Sequence, residues 1–363
     1  MVTRYSPRSL GLWMGQMAVG PHNDISDVPG VLVGSVSLVR GVGPLDSNGR
    51  GPVRTGVTAI LPRANLYHQP CKAGIEVING YGKSIGVPFI QEMGLLNSPI
   101  LLTNTLSVND VGSGVITYLL KKYPEIGNDA RTPNVVVMEC DDSYLNDIRG
   151  RHVKPWDAIL ALQRAAKGPI EQGNVGAGVG MSCFQLKGGI GSSSRLVLEQ
   201  SGHSYIVGML ALANFGVLED FLLAGVPVGK FLSLPAMGYV PGSLVLIGIT
   251  NAPLSRWQLK QLARRASLGI ARTGSISRTG SGDFCLMVST DVNEHNTNQS
   301  LSDWALDEFF RAVVESTAES IWNALFFAQT MEGRDRNIRL ALPIRKTLQI
   351  VRNWKGGFSH NLS

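Results

Sequence analysis

Tyr239-Val240-Pro241-Gly242-Ser243-Leu244-Val245-Leu246-Ile247 is the stretch on which the reading turns, because a proline and a glycine lead straight into a serine that opens an apolar run. Read locally, it is a turn before a buried strand, Ser243–Thr250. It also suits a chain that cuts itself between Gly242 and Ser243. Glycine has no side chain to obstruct attack of the Ser243 hydroxyl on its carbonyl, and it tolerates the strained backbone that such attack demands. Cleavage would free an α-amino group at Ser243. With an ordinary pKa of about 7.7–8.0, that amine accepts the hydroxyl proton at neutral pH, so nucleophile and base reside in one residue. A hydrolase of this kind needs no histidine.

Working outward, Phe284–Ser289 reads as a second strand, and Ser255–Arg272, starting just after Pro253, reads as a helix between the two. Further strands are expected at Val31–Val39, Gly56–Leu61, Ile100–Thr103, Asn134–Met138 and Tyr205–Ala213, each apolar or β-branched and closed by turn residues. Helical spacing predicts Val108–Lys122, Pro155–Ala166 and Ser302–Ala328. The Gly- and Ser-rich stretches Gly188–Arg195 and Gly274–Gly282 read as loops that bring backbone close to a ligand. Gly176-Ala177-Gly178-Val179-Gly180 is spaced G-x-G-x-G, not G-x-G-x-x-G, and reads as a turn. With no internal repeat and no long linker, residues 1–363 are expected to form a single layered α/β (α+β) domain.

Of the 363 residues, 44% are hydrophobic and 17% charged, and the 42 glycines follow no G-X-Y period, which excludes a disordered or collagen-like chain. A net charge of +6 is too small for a nucleic-acid footprint unless the basic residues cluster. They cluster once, at Arg256, Lys260, Arg264, Arg265 and Arg272, and that pattern reads as a solvated helix face. Cys71, Cys140, Cys183 and Cys285 form no C-x-x-C pair and read as buried, reduced thiols, and the histidines are scattered. No apolar run approaches the ~20 residues of a membrane span. A cytoplasmic protein is therefore expected, with no metal, no cofactor, and no nucleic-acid or membrane partner. Two motifs mislead. Gly82-Lys83-Ser84 lacks the glycine five positions earlier that a phosphate loop needs, since Val77 stands there. Gly82-Lys83-Ser84-Ile85-Gly86 matches a nucleophile elbow in letters, but Pro88 and the sparse histidines oppose that reading.

From Asn23-Asp24-Ile25-Ser26-Asp27-Val28-Pro29-Gly30 to Ala341-Leu342-Pro343 the chain resembles a known family. It is the DmpA-like L-aminopeptidase/D-esterase and β-peptidyl aminopeptidase group, peptidase family S58. The specific blocks are Ser98-Pro99-Ile100-Leu101-Leu102-Thr103-Asn104-Thr105, Tyr144-Leu145-Asn146-Asp147-Ile148, Lys187-Gly188-Gly189-Ile190-Gly191, Asn214-Phe215-Gly216 and Ala263-Arg264-Arg265-Ala266. Arg8-Ser9-Leu10-Gly11 also matches, so the acid-poor opening is read as part of the family's own N-terminal segment rather than as a transit peptide.

The resemblance implies a four-layer αββα sandwich like the N-terminal nucleophile hydrolases with different connectivity. It also implies self-cleavage into 1–242 and 243–363, and a homo-oligomer of the cleaved two-chain protomers. It places Ser243 as nucleophile, Ser281 and Asp283 around its amine, and Asn214 as oxyanion donor. Glu139 would hold the ammonium of a small peptide, amide or ester substrate, and Tyr144 would wall the pocket, with Asp141 or Asp142 sharing the amine-binding charge. The sequence departs from the family pattern at Ser35, at Tyr81 and Lys83 in Asn79-Gly80-Tyr81-Gly82-Lys83, and at Leu106 in Thr105-Leu106-Ser107-Val108. Two other readings stand beside the aminopeptidase: an acyltransferase of the ornithine acetyltransferase type, and an uncleaved, non-catalytic binding or assembly protein.

Overall fold

The alternation along Ser243–Thr250 sets the layering, because Leu244 and Leu246 enter one apolar core while Val245, Ile247 and Ile249 enter another. All eight residues of this strand are buried, as expected for a strand covered on both faces. The computed structural model describes residues 4–128, 131–199, 202–235, 238, 241–291 and 301–357. Tyr239 and Val240 of the opening stretch lie outside the described residues.

The long strands in chain order are β1 (Leu32–Arg40), β2 (Val53–Leu61), β3 (Cys71–Gly80), β4 (Ile100–Asn104), β5 (Val136–Cys140), β6 (Gly189–Leu198), β7 (Ser204–Asn214), β8 (Ser243–Thr250) and β9 (Gly282–Ser289). The helices are α1 (Val87–Met93), α2 (Val108–Lys122), α3 (Pro155–Gln163), α4 (Val228–Phe231), α5 (Arg256–Arg272), α6 (Leu306–Phe327) and α7 (Ile344–Gly357). One sheet runs β1-β2-β4-β5. The other runs β3-β9-β8-β7-β6, with the two-residue strand Leu95–Leu96 on the outer edge of β3.

Three apolar cores separate four layers. Ile60, Leu102, Met138, Leu210, Ile247 and Leu286 fill the space between the sheets. Val57, Val111, Val115 and Ala158 join the first sheet to α2 and α3, and Leu246, Leu262, Ala266, Val313 and Trp322 join the second to α5 and α6. This is the αββα sandwich. The parallel pair β8–β9 is connected through α5, as the strand-helix-strand pattern predicts. That helix opens on a capping box in which Ser255 Oγ accepts from Gln258 N–H and the Gln258 side chain accepts from Ser255 N–H. Among the described residues no helix is long and apolar enough to cross a membrane, and all four cysteines are buried and free.

The largest departure from the sequence reading is Gly188–Arg195, which is not a loop but most of β6, paired along its length with β7. Its small residues are a contact surface. A Cβ on Gly191 would lie 2.0 Å from the Ser320 carbonyl oxygen and 2.4 Å from the Ala324 nitrogen, so α6 rests on the strand at backbone range. Ser193 Oγ donates to the Ser316 carbonyl at 2.7 Å, and Asn323 Nδ2 donates to that of Ser192 at 2.6 Å. Composition alone suggested a loop; tertiary packing makes it a strand. Strand β3 and helices α1 and α7 were likewise not anticipated. Pro88 lies in the first turn of α1, where proline is tolerated, so it does not break a helix there.

At the far end of β6 a buried ion network ties the N-terminal segment to α6. Arg195 is fully buried, with Nε 2.9 Å from Glu315 and a terminal nitrogen 2.5 Å from Glu319. Glu319 also accepts from Arg8 at 3.1 Å and from Asn23 at 2.7 Å. Burial raises the Glu319 pKa, but Arg195 and then Arg8 and Asn23 outweigh it and hold the carboxyl below its ordinary range. Removing one member would leave uncompensated charge inside.

Packing of α6 on Gly191 is directly testable. Gly191→Val is expected to cost at least about 1–3 kcal/mol in chemical denaturation, because the displaced partner is helix backbone. Gly356→Ala, where an added Cβ meets nothing within 4 Å, is expected to leave stability unchanged or slightly higher. Equal, small effects for the two would contradict the close approach.

Candidate active site

Sheet register places the proposed nucleophile. Ser243, the first residue of β8, stands opposite Asn214, the last residue of antiparallel β7, and beside Gly282, the first residue of parallel β9. Strand neighbours in one register row project to one face, and residues two further on, Val245, Leu212 and Phe284, all lie in the core between the sheets. The row therefore opens at the end of that core. A Cβ on Gly282 would lie 3.3 Å from Ser243 Oγ and 2.5 Å from the Gly82 nitrogen. The hydroxyl thus sits over a residue without a side chain, with the Gly82 backbone closing the space.

Gly242 is equally constrained. A Cβ there would lie 2.1 Å from the Asn214 carbonyl oxygen and 2.6 Å from Phe215 Cα, so backbone contact leaves room for hydrogen alone.

Asn214 is held at both ends of its amide. Oδ1 accepts from Ser182 N–H at 2.7 Å, and Nδ2 donates to the Asp141 carbonyl at 2.8 Å. One Nδ2 hydrogen remains for another acceptor. On the other flank, Ser281 Oγ donates to Asp283 Oδ1 at 2.6 Å, while buried Asp283 Oδ2 has no hydrogen-bond partner. Burial raises the Asp283 pKa, and the weaker pulls of Ser281, Ser277 and the Leu244 N–H do not offset it.

Glu139, near the end of β5, is buried and fixed by two donors: Lys83 N–H at 2.7 Å to Oε1 and the Thr105 hydroxyl to Oε2. Gly82 lies between it and the serine row, since a Cβ on Gly82 would stand 3.3 Å from Glu139 Oε1. Three of the four departures from the family pattern, Tyr81, Lys83 and Leu106, gather at this end, whereas Ser35 lies on β1 against Thr58. Tyr81 is exposed with the Lys83 ammonium 4.5 Å from its ring centroid, and exposed Leu106 follows Thr105.

Tyr144 is placed differently from the other five. Its ring stacks under the Arg339 guanidinium at 3.5 Å, on the side of the chain preceding the Gly242–Ser243 bond. Asp141 is exposed and caps Ser143 N–H, whereas Asp142 is fully buried against Asn146 and so is withdrawn from the open end. Arg339 and Ser182 were missed in the sequence. A single arginine in the apolar run Ile338-Arg339-Leu340-Ala341-Leu342 carries no spacing signal. Among the described residues no His, Cys, Asp or Glu cluster could hold a metal ion.

Residues 23–339 match peptidase family S58, and the chain belongs to that family. It is an aminopeptidase of the β-peptidyl aminopeptidase and DmpA-like kind. The curated β-peptidyl aminopeptidase BapA of Sphingosinicella microcystinivorans is 40% identical over 360 residues, covering 93% of this chain and 89% of the relative. Two solved structures superpose closely. The PH0078 protein of Pyrococcus horikoshii OT3 gives a TM-score of 0.92 at 44% identity, over 96% of this chain and 99% of that one. The L-aminopeptidase D-Ala-esterase/amidase of Ochrobactrum anthropi gives 0.88 at 32% identity over the same shares, and is described as a prototype for the serine aminopeptidases and a new variant of the Ntn hydrolase fold.

Asp142 gives the site's surroundings a pH signature. Burial pushes its carboxyl up to about 7, against the lowering effect of hydrogen bonds from Thr55 and Asn146. A folded pKa above the unfolded value means that its stabilising contribution is present at low pH and is lost as pH rises towards and through 7. Asp142→Asn is neutral throughout, so its melting temperature relative to the parent chain is expected to climb between pH 5 and pH 8. A constant difference across that range would contradict the assignment.

Proposed function

We propose that Ser243 first cuts its own Gly242 bond and then, as an N-terminal residue, hydrolyses short peptides, amides or esters through an acyl-enzyme. In the first step Ser243 Oγ bonds to the Gly242 carbonyl carbon, the C–N bond breaks, and the hydroxyl proton ends on the departing nitrogen. Water then cleaves the resulting ester, leaving a Gly242 carboxylate and a Ser243 ammonium. In each turnover the deprotonated amine takes the Oγ proton as the hydroxyl attacks the substrate carbonyl, then returns it to the leaving amine. The remaining Asn214 Nδ2 hydrogen serves the oxyanion, and Glu139 orients the free ammonium of the substrate. No cofactor enters the scheme.

The observation that carries this reading is the unpartnered, buried Asp283 Oδ2 beside the first residues of β8. A buried carboxylate oxygen that meets no donor in good hydrogen-bond geometry among the described residues, with only Ser277 and the Leu244 N–H nearby, is costly, and an ammonium freed at Ser243 supplies both a well-placed donor and the charge. Support also comes from Gly242, where no side chain fits, and from the Asn214 amide locked in one orientation. The name of the Sphingosinicella relative favours an N-terminal β-residue as one accepted substrate class.

Turnover of β-alanine p-nitroanilide tests the scheme. Asn214→Ala is expected to lower kcat by about 10²–10³, Ser243→Ala to abolish turnover, and N-acetylation of the substrate to abolish its recognition by Glu139. Wild-type rates from Ser243→Ala would refute the nucleophile. Release that requires an added acyl acceptor would favour a transferase instead.

A further inference from the structure

Arg339 is buried beside the proposed cut without a carboxylate partner among the described residues. Its side chain is held by neutral groups alone: Nε donates to Ser182 Oγ at 2.8 Å, and the terminal nitrogens donate to the carbonyls of Gly238 at 2.8 Å and Gln185 at 3.3 Å. The Tyr144 ring covers one face. Burial lowers its pKa to about 10, which leaves it cationic at neutral pH. A guanidinium has five N–H donors, so two remain. The wall of the adjoining small cavity carries Arg339, Gly242, Asn214 and Ser182.

We infer that Arg339 is the binding site for the α-carboxylate that cleavage creates on Gly242. This rests on the proposed self-cleavage. Before the cut, Gly242 offers a neutral peptide carbonyl. Afterwards, water has added to the Gly242–Ser243 ester, the carbon–Oγ bond has broken, Gly242 carries a carboxylate, and the released proton is on the Ser243 amine. A new anion thus appears in the cavity that already holds an unpaired buried cation, and pairing relieves the cost of both. The planar fork of arginine suits a carboxylate better than the point charge of lysine.

The pairing has a consequence for catalysis. Arg339 bonds Ser182 Oγ, and the Ser182 N–H holds Asn214 Oδ1, so one guanidinium fixes both the new chain end and the orientation of the oxyanion amide. Arg339 is in this sense a positioning residue. The C-terminal carboxylate of a peptide substrate is the other source of the same chemistry.

Cut wild-type enzyme, Arg339→Lys and Arg339→Gln are treated with a carboxypeptidase, and the large chain is followed by intact mass. Loss of Gly242 is expected to be at least about tenfold faster in Arg339→Gln than in wild type, with Arg339→Lys between them. Equal rates in folded proteins would overturn the inference while leaving self-cleavage intact; an uncut wild-type chain would overturn self-cleavage itself. A KM advantage of a peptide acid over its amide that vanishes in Arg339→Gln would assign the guanidinium to the substrate instead. Should Arg339→Gln fail to fold, wild type labelled with [1-13C]glycine decides: the Gly242 carboxyl is expected to titrate below the ordinary α-carboxyl range of about 3.3–3.7, and titration within that range refutes the pairing.

Discussion

The row Asn214, Ser243, Gly282 depends on one constraint, the register of three strands that begin or end at the same level. A shift of one residue in β8 would turn Ser243 to the helix side of the sheet and expose its apolar set to the wrong core. The register is pinned by five buried apolar residues, Leu244 to Ile247 and Ile249, whose alternate side chains fill two different cores. Hydrophobic packing along the whole strand therefore holds a hydroxyl at its tip. The position of that hydroxyl is set by burial along the strand.

Close backbone approach is the second theme. At Gly242 and Gly282 the space for a side chain is taken by backbone of Asn214, Phe215 and Gly82, and at Gly191 by the backbone of α6. The first two lie on either side of Ser243, one before it in the chain and one beside it in the sheet; the third seats a helix on the same sheet. Glycine serves at all three for the same reason, the absence of Cβ.

Much of this was legible in the sequence. The apolar run after Ser243, the helix after Pro253 and the Phe284 strand gave the central unit, and the family blocks pointed to Asn214, Ser281, Asp283 and Glu139. What escaped was non-local. Gly188–Arg195 has the composition of a loop because the partner that requires small residues is α6, more than a hundred positions away. Arg339 has no local pattern, since its partners Ser182, Gly238 and Tyr144 converge on it only in the fold. Tyr144, expected to wall the pocket, stands against that guanidinium, a contact no spacing could announce.

The central claim is that Ser243 becomes an N-terminal residue in the working enzyme. Intact-mass measurement of purified, active protein tests it most directly. The account predicts two co-purifying chains, the smaller beginning at Ser243 and the larger ending at Gly242. A single uncut chain of 39.0 kDa carrying full aminopeptidase activity would contradict it.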